Sequence, residues 1–322
     1  MTAGNGQRWT VAASTTLFAY ALVVPELPDV TVYVERIQAL FAGQRLQAVR
    51  VKSPFVVRSY EPPISAVAGR TLSTTFSVGK RIALQFEPEL YVVVHLMIAG
   101  RFHLKQRSAA LTKLGLLSFD FEGQSMWLTE ASSKKRASVH VVATRAEVMA
   151  MSRGGVEPLT CGFEAFHAAL AAENHTLKRT LTDPRLISGI GNAYSDEILF
   201  RAQISPMKRT RDLSEDEARR VFDATQSTLS EWVERLRDDV GEGFPEKVTA
   251  FRPEMAVHGK YKQACPVCQT PVQRIAYAEN ECNYCPRCQT AGRLLADRAL
   301  SRLLREDWPK TLEELEERKS GR

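Results

Sequence analysis

The sequence predicts a multidomain α+β protein: a leading helix and a strand-rich β-sandwich or barrel, then a helical domain, then a small metal-held finger. Three observations carry this reading. Short Val-, Ile- and Phe-rich runs broken by Gly, Pro and Ser fill residues 45–142, amphipathic segments run from 155 to about 240, and five of the six cysteines fall within 24 residues near the C-terminus. The 322 residues, 44% of them apolar, suffice for about two domains with real cores. The net charge of +6 and pI near 9.0 fit a polyanionic partner as well as a solvated surface.

Residues 1–24 carry one charge, Arg8, and a mildly apolar stretch from Thr10 to Val24 that is too short for a comfortable membrane span. Three readings stand: a start codon set too early, with Val24 as the true first residue, a processed leader, or a genuine extension. The first is preferred. From Asp29 to Phe41, Val32, Val34, Ile37, Leu40 and Phe41 recur at near-helical spacing. The runs LQAVRV, RIALQF, YVVVHLMI, RFHLK, LLSFDF and VHVV then read as strands, giving a first domain over 25–150. GGVEPLT is a linker. The segments FEAFHAALAAE, AYSDEILFRAQ and EDEARRVFDATQSTLSEWVERLRD form a helical domain over 155–245, ending in a flexible Gly/Pro segment, GEGFPEK. A finger over 251–292 and a charged helical tail over 293–322 complete the chain.

Cys265-Pro-Val-Cys268 and Cys285-Pro-Arg-Cys288 are two CxxC pairs with 16 residues between them. Each pair sets two thiolates on one tight knuckle, and two knuckles complete the tetrahedral four-sulfur site that zinc prefers. Four protein ligands leave no open position, so one structural Zn is expected. Cys282 is not expected to compete. Clustered thiolates in a long chain point to a reducing compartment rather than to disulfides. Between two expected helices lies Ser188-Gly-Ile-Gly-Asn192, with a short helix expected around Arg185–Ile187. Two close glycines permit close backbone approach, and a helix N-terminus beginning near Ala193 binds phosphate well. Asn192 would sit beside such an anion or serve as a simple cap. Pro25-Glu-Leu-Pro-Asp29 precedes the first helix. A free Pro25 amine would be a capable nucleophile toward a sugar carbon, with Glu26 moving protons beside it. An internal Pro25 has no basic nitrogen. Lys80, in a turn between strands, reads by itself as a solvated lysine.

Pro25-Glu-Leu-Pro-Asp29, Gly79-Lys80, His95-Leu-Met-Ile-Ala-Gly100, Asp183 to Glu197 and Cys285-Pro-Arg-Cys288 occur in this order. Together they resemble formamidopyrimidine-DNA glycosylase and its relative endonuclease VIII, over about Pro25–Gln289. The resemblance implies a two-layered β-sandwich, a helix–two-turn–helix domain and a zinc finger, with double-stranded damaged DNA in the cleft between the domains. It implies a base-excision-repair glycosylase that also cleaves the abasic site by β,δ-elimination, as a cytoplasmic, nucleoid-associated monomer without membrane contact. Pro25 resembles the nucleophile, Glu26 the acid/base and Lys80 the assisting lysine at the lesion phosphate. Lys178 and Asn192 match DNA-contacting positions ahead of and within the two-turn segment. The family fills the hole left by the extruded base with Met, Arg and Phe. Here Ile98, Arg136 and Ala137 stand there, so the aromatic wedge is missing. The finger arginine that grips phosphates is replaced by Asn280. Opposite-base preference and lesion range stay open, and a DNA-binding relative without catalysis is the alternative.

Overall fold

The structure, a computed structural model, describes residues 24–107, 109–277, 280–296 and 309–320. The expectations for residues 1–23 and for residues 297–308 and 321–322 of the tail lie outside the described residues.

Helix α1 (Leu27–Phe41) turns Val30, Tyr33, Ile37 and Phe41, spaced three or four apart, into the sandwich core. Eight strands follow: β1 (Ala48–Val51), β2 (Leu72–Val78), β3 (Arg81–Phe86), β4 (Leu90–His95), β5 (Gly100–Gln106), β6 (Gly115–Asp120), β7 (Gln124–Glu130) and β8 (Ser138–Val142). They form two antiparallel sheets of order β1-β6-β7-β5 and β2-β3-β4-β8. Ile82, Leu84, Val92 and Val94 of one sheet face Phe102, Leu117, Phe119 and Leu128 of the other. Phe41 stacks on Phe121 with ring centroids 4.3 Å apart, closing one end. Strands β2 and β7 are absent from the sequence reading. Their Ser, Thr, Gln and Glu hide the apolar alternation. Helix α2 (Arg145–Ala150) covers part of the outer face of the β2-β3-β4-β8 sheet through Val148.

The helical domain holds α3 (Phe163–Ala171), α4 (Leu177–Thr182), α5 (Asn192–Arg201) and α6 (Glu215–Val240) around Phe166, Leu181, Ile190, Tyr194, Ile198, Val221 and Leu229. No helix forms at Arg185–Ile187. The Asp183 carboxylate accepts the Arg185 amide at 2.9 Å, making a turn, and Ile187 instead pairs with Val156.

Residues 241–247 are not the loose segment expected from their Gly and Pro content, and the chain stays tied down through Val248. Arg36 donates to Gly243 O at 2.8 Å, Arg101 to Val248 O at 3.0 Å, and Leu104 N to Glu246 Oε1 at 3.1 Å. Phe244 and Val248 pack into the sandwich core. Arg237 of α6 also pairs with Glu35 of α1 at 2.6 Å. The chain therefore leaves the helical domain, crosses back over the sandwich, and only then enters the finger. There β9 (Gln273–Tyr277) and β10 (Asn280–Tyr284) form a hairpin followed by α7 (Pro286–Thr290). Helix α8 (Leu312–Ser320) returns to the finger through Leu312 N to Gly292 O at 3.1 Å. Among the described residues no helix is long and apolar enough to cross a membrane.

Candidate active site

Helix α5 and the loop before it form one wall of the site. Gly189 has φ +77°, and its carbonyl accepts the Leu27 amide at 2.9 Å, drawing the start of α1 onto the helical domain. The Glu26 carboxylate, only 3% exposed, then meets the N-terminus of α5. It accepts from Gly191 N at 2.6 Å, Ala193 N at 2.9 Å and Tyr194 N at 3.3 Å. These are the unpaired donors of a helix N-terminus, here spent on a carboxylate from another domain. Only glycine at 191 leaves room for the side chains of Glu26 and Lys80 where they stand. A Cβ there would lie 2.5 Å from Glu26 Cδ, Glu26 Oε1 and Lys80 Nζ. The same contacts place the Lys80 ammonium and the Glu26 carboxylate on either side of Gly191, close enough to feel each other's charge.

Lys80 stands at the β2–β3 turn, whose Gly79 lies against Ser188 of the same loop. Burial lowers its ammonium pKa, and the charges of Glu26 and Asp29 oppose that. Asp29 accepts the Glu26 amide at 3.0 Å and pairs with Arg252 at 3.1 Å. Burial raises its carboxyl, against the pull of Arg252. Pro25 is buried immediately before Glu26. Beside Asp29 opens a cavity of about 480 Å³ lined by Val32, Leu236, Phe244, Val248 and Arg252 among others.

Asn192 is the first residue of α5 rather than its cap, which is Gly191; its side chain is half-buried. Lys178, on α4, donates to Asn192 O and to Asp196 Oδ1, both at 2.6 Å, so it buttresses the helix from behind. Glu26, Lys80, Asn192 and Lys178 thus gather around one helix N-terminus. Ile98 and Arg136 sit on neighbouring loops, joined where Ala131 N donates to Ala99 O at 3.4 Å. Ile98 is half-buried. Arg136 is exposed, while its amide and that of Ala137 fold onto the fully buried Glu130 carboxylate at 2.9–3.1 Å. Ala137 is buried in the sandwich core and cannot act as a wedge. The side chain of Asn280 lies outside the described residues, and its backbone opens β10 opposite Tyr277.

The sulfurs of Cys265, Cys268, Cys285 and Cys288 all lie within 4.8 Å of one another and could hold a metal ion. Cys265 and Cys288 are 3.9 Å apart, Cys268 and Cys285 3.4 Å. Zn–S bonds of about 2.3 Å in a tetrahedron would set sulfurs roughly 3.8 Å apart, so the four residues fit. Cys282 is outside the group, buried with Ile275 and Tyr284.

Four residues escaped the sequence reading. Asp196 accepts from Lys178, from His258 Nδ1 at 2.8 Å and from Asn283 N at 3.1 Å. Burial pushes Asp196 up, but Lys178 and His258 hold it below the usual carboxylate range. Glu197 accepts the amides of Ala256, Val257 and His258 at 2.8–2.9 Å. Helix α5 therefore joins the finger through Asp196 and Glu197 as firmly as it joins the sandwich through Glu26. Asp196 and Glu197 close the Asp183–Glu197 motif as a pair of acids set between the apolar residues Ala193, Tyr194, Ile198 and Leu199, and that pairing is the signal that could have found them.

Two family models match. The formamidopyrimidine-DNA glycosylase N-terminal domain covers residues 24–138, and the formamidopyrimidine-DNA glycosylase H2TH domain covers 155–241. The formamidopyrimidine-DNA glycosylase of Thermus thermophilus is 31% identical over 275 residues, spanning 84% of this chain and 100% of that protein. The Listeria innocua protein of the same name is 27% identical over 276 residues, spanning 83% and 100%. Among solved structures, Lactococcus lactis Fpg (MutM) with FAPY-dG-containing DNA superposes with a TM-score of 0.74 at 23% identity, covering 82% of this chain and 100% of that one. MutM in complex with DNA containing carbocyclic 8-oxo-G gives 0.74 at 22% identity, covering 83% and 100%.

Proposed function

Because this chain belongs to the formamidopyrimidine-DNA glycosylase family, we propose that it excises oxidised bases from duplex DNA and then cleaves the abasic site, with the Pro25 nitrogen as nucleophile. The observation that carries this reading is the Glu26 carboxylate, fixed by three main-chain amides beside Pro25 and next to Lys80.

The damaged nucleotide leaves the stack, at a cost of a few kcal/mol that a poorly paired lesion reduces. The 480 Å³ cavity between α1 and residues 243–248 is large enough to receive the base. The Pro25 amine attacks C1′ and the base departs with the electron pair of the glycosidic bond. Glu26 protonates the ring oxygen, the sugar opens and an iminium forms. The iminium acidifies the C2′ proton. Its loss expels the 3′ phosphate, and a second elimination expels the 5′ phosphate. The ammonium of Lys80 and the side chain of Asn192 hold the phosphates flanking the lesion, with Lys178 supporting Asn192 from behind. Ile98 and Arg136 occupy the hole left in the duplex.

This chemistry requires Pro25 to be the first residue of the active form, since an amide nitrogen cannot form an iminium. The match of the N-terminal domain from residue 24 supports an active form lacking residues 1–24. Zn²⁺ suits four thiolates at the observed spacing. Cys265, Cys268, Cys285 and Cys288 would hold it, and it would brace the finger and supply no open coordination position.

Borohydride trapping tests the reading. Protein beginning at Pro25 is expected to form a covalent adduct with duplex carrying an abasic site or an oxidised base, and the full 322-residue chain is expected to form none. Absence of an adduct from the Pro25 form on 8-oxoguanine, oxidised pyrimidine and abasic substrates alike would leave a DNA-binding relative without lyase activity.

A further inference from the structure

Helix α2 covers only part of the outer face of the β2-β3-β4-β8 sheet. Val78, Ala83, Tyr91 and Val93 pack there with Val148. Further along the same face the side chains turn basic. Arg81 lies directly opposite His95, and His140 lies opposite Val93, two residues from His95 on β4. Opposite and alternate residues of an antiparallel pair share a face, so Arg81, His95 and His140 stand together. Arg153 follows α2, and Arg58 sits on the loop whose backbone joins β8 through Arg58 N to Val139 O at 2.8 Å.

These groups are near enough to act on one another. Burial first, then Arg81, Lys80, Arg153 and His140, push His95 down to about 4, and burial, Arg81 and Arg58 lower His140. Arg58, Arg81 and Arg153 make no ion pair among the described residues. Other cations, such as Arg201, Lys208 and Arg237, are each matched to a glutamate. Gathered cations without counter-charges repel one another, and a polyanion relieves that repulsion. Phe55 and Tyr60, 80% and 93% exposed, flank Arg58 at the far end, as on a contact surface.

We infer that Arg81, Arg153 and Arg58, with His95 and His140 between them, form a second phosphate-contacting track that carries the flank of the duplex away from Lys80 across the outer face of the sheet. This rests on the reading of duplex DNA as substrate. From Lys80 to Arg58 the track crosses three strand spacings, roughly 15 Å. That is the axial rise of about four base pairs.

The test is the salt dependence of duplex binding by the protein beginning at Pro25. Each phosphate contact contributes about 0.9 to the slope of log K against log salt. The triple variant Arg58→Gln/Arg81→Gln/Arg153→Gln is expected to bind with a slope shallower by 2–3, about 0.9 for each of its three replaced arginines. The corresponding Arg→Lys triple should regain the wild-type slope. Arg58→Gln alone, on an exposed loop where folding is not at stake, should lower the slope by about 0.9. A Gln triple with the wild-type slope, or a Lys triple that regains nothing, overturns the track. Wild-type protein that binds no duplex at any salt overturns the proposed function instead.

Discussion

Helix α5 bears two joints, and they are built in opposite senses. At its N-terminus three amides reach out to a carboxylate of the sandwich, Glu26. In its first turns two of its own carboxylates, Asp196 and Glu197, reach out to amides and side chains of the finger region. The first joint lies next to Lys80 and to Asn192, the first residue of α5. The second is equally buried, with His258 4% and Asn283 1% exposed against 3% for Glu26. In the proposed mechanism the carboxylate of the first joint moves a proton. Those of the second hold the finger, and losing their donors leaves charge stranded in the interior.

Breaking the second joint should have the largest effect. Chelating the Zn²⁺ proposed for the four cysteines should free the finger that presents Asn283 and adjoins the 256–258 turn. Asp196 would then keep only Lys178, and Glu197 would lose the 256–258 amides, at a cost of roughly 3–5 kcal/mol, the scale of a broken buried ion pair. DNA binding and abasic-site cleavage should be lost together and return on adding Zn²⁺, as seen by cleavage assay and thermal melting. Full cleavage by metal-free protein would show that the joints are independent. Gly191→Ala strikes the first joint. The added methyl meets side-chain ends rather than backbone, so the fold should persist at some loss of stability while Glu26 and Lys80 are displaced. Misplacement by about 1 Å costs on the order of 100-fold in rate. Single-turnover excision within tenfold of wild type would refute the seat. His95→Gln probes a third place, the loop carrying Ile98. There Met97 N donates to His95 Nδ1 at 2.9 Å, which requires the neutral ring. The unfolded chain takes up a proton near 6.5 that the folded chain refuses until about 4, so stability should fall as pH drops through that window and stay flat above it. The loss should reach about 2 kcal/mol after allowance for partial exposure. Urea unfolding between pH 7 and pH 4 should show the substitution flattening that slope.

The sandwich, the helical domain and the four-cysteine site were legible in the sequence because apolar period and cysteine spacing are local signals. So was the gathering of Glu26, Lys80 and Asn192, through motifs strung along the chain. The missed elements share one physical cause. Strand β7 carries Glu130 into full burial, where the Arg136 and Ala137 amides satisfy it. In β2, Thr75 bonds Val34 O and Gln38 of α1. Asp196 and Glu197 are satisfied by residues about 60 to 90 positions away. A polar residue looks solvated until its distant partner is known. The segment 241–247 reads as flexible for the same reason, since its partners Arg36 and Leu104 lie in the other domain.

That strap has a mechanical consequence. The sandwich is bound to the helical domain at the Glu26 seat, at Glu35–Arg237, and again by the returning chain at Arg36, Arg101 and Leu104. Three fastenings on both sides of α1 leave no axis about which the halves could open like a clamshell. Damaged DNA therefore meets the two halves already locked in their relative placement.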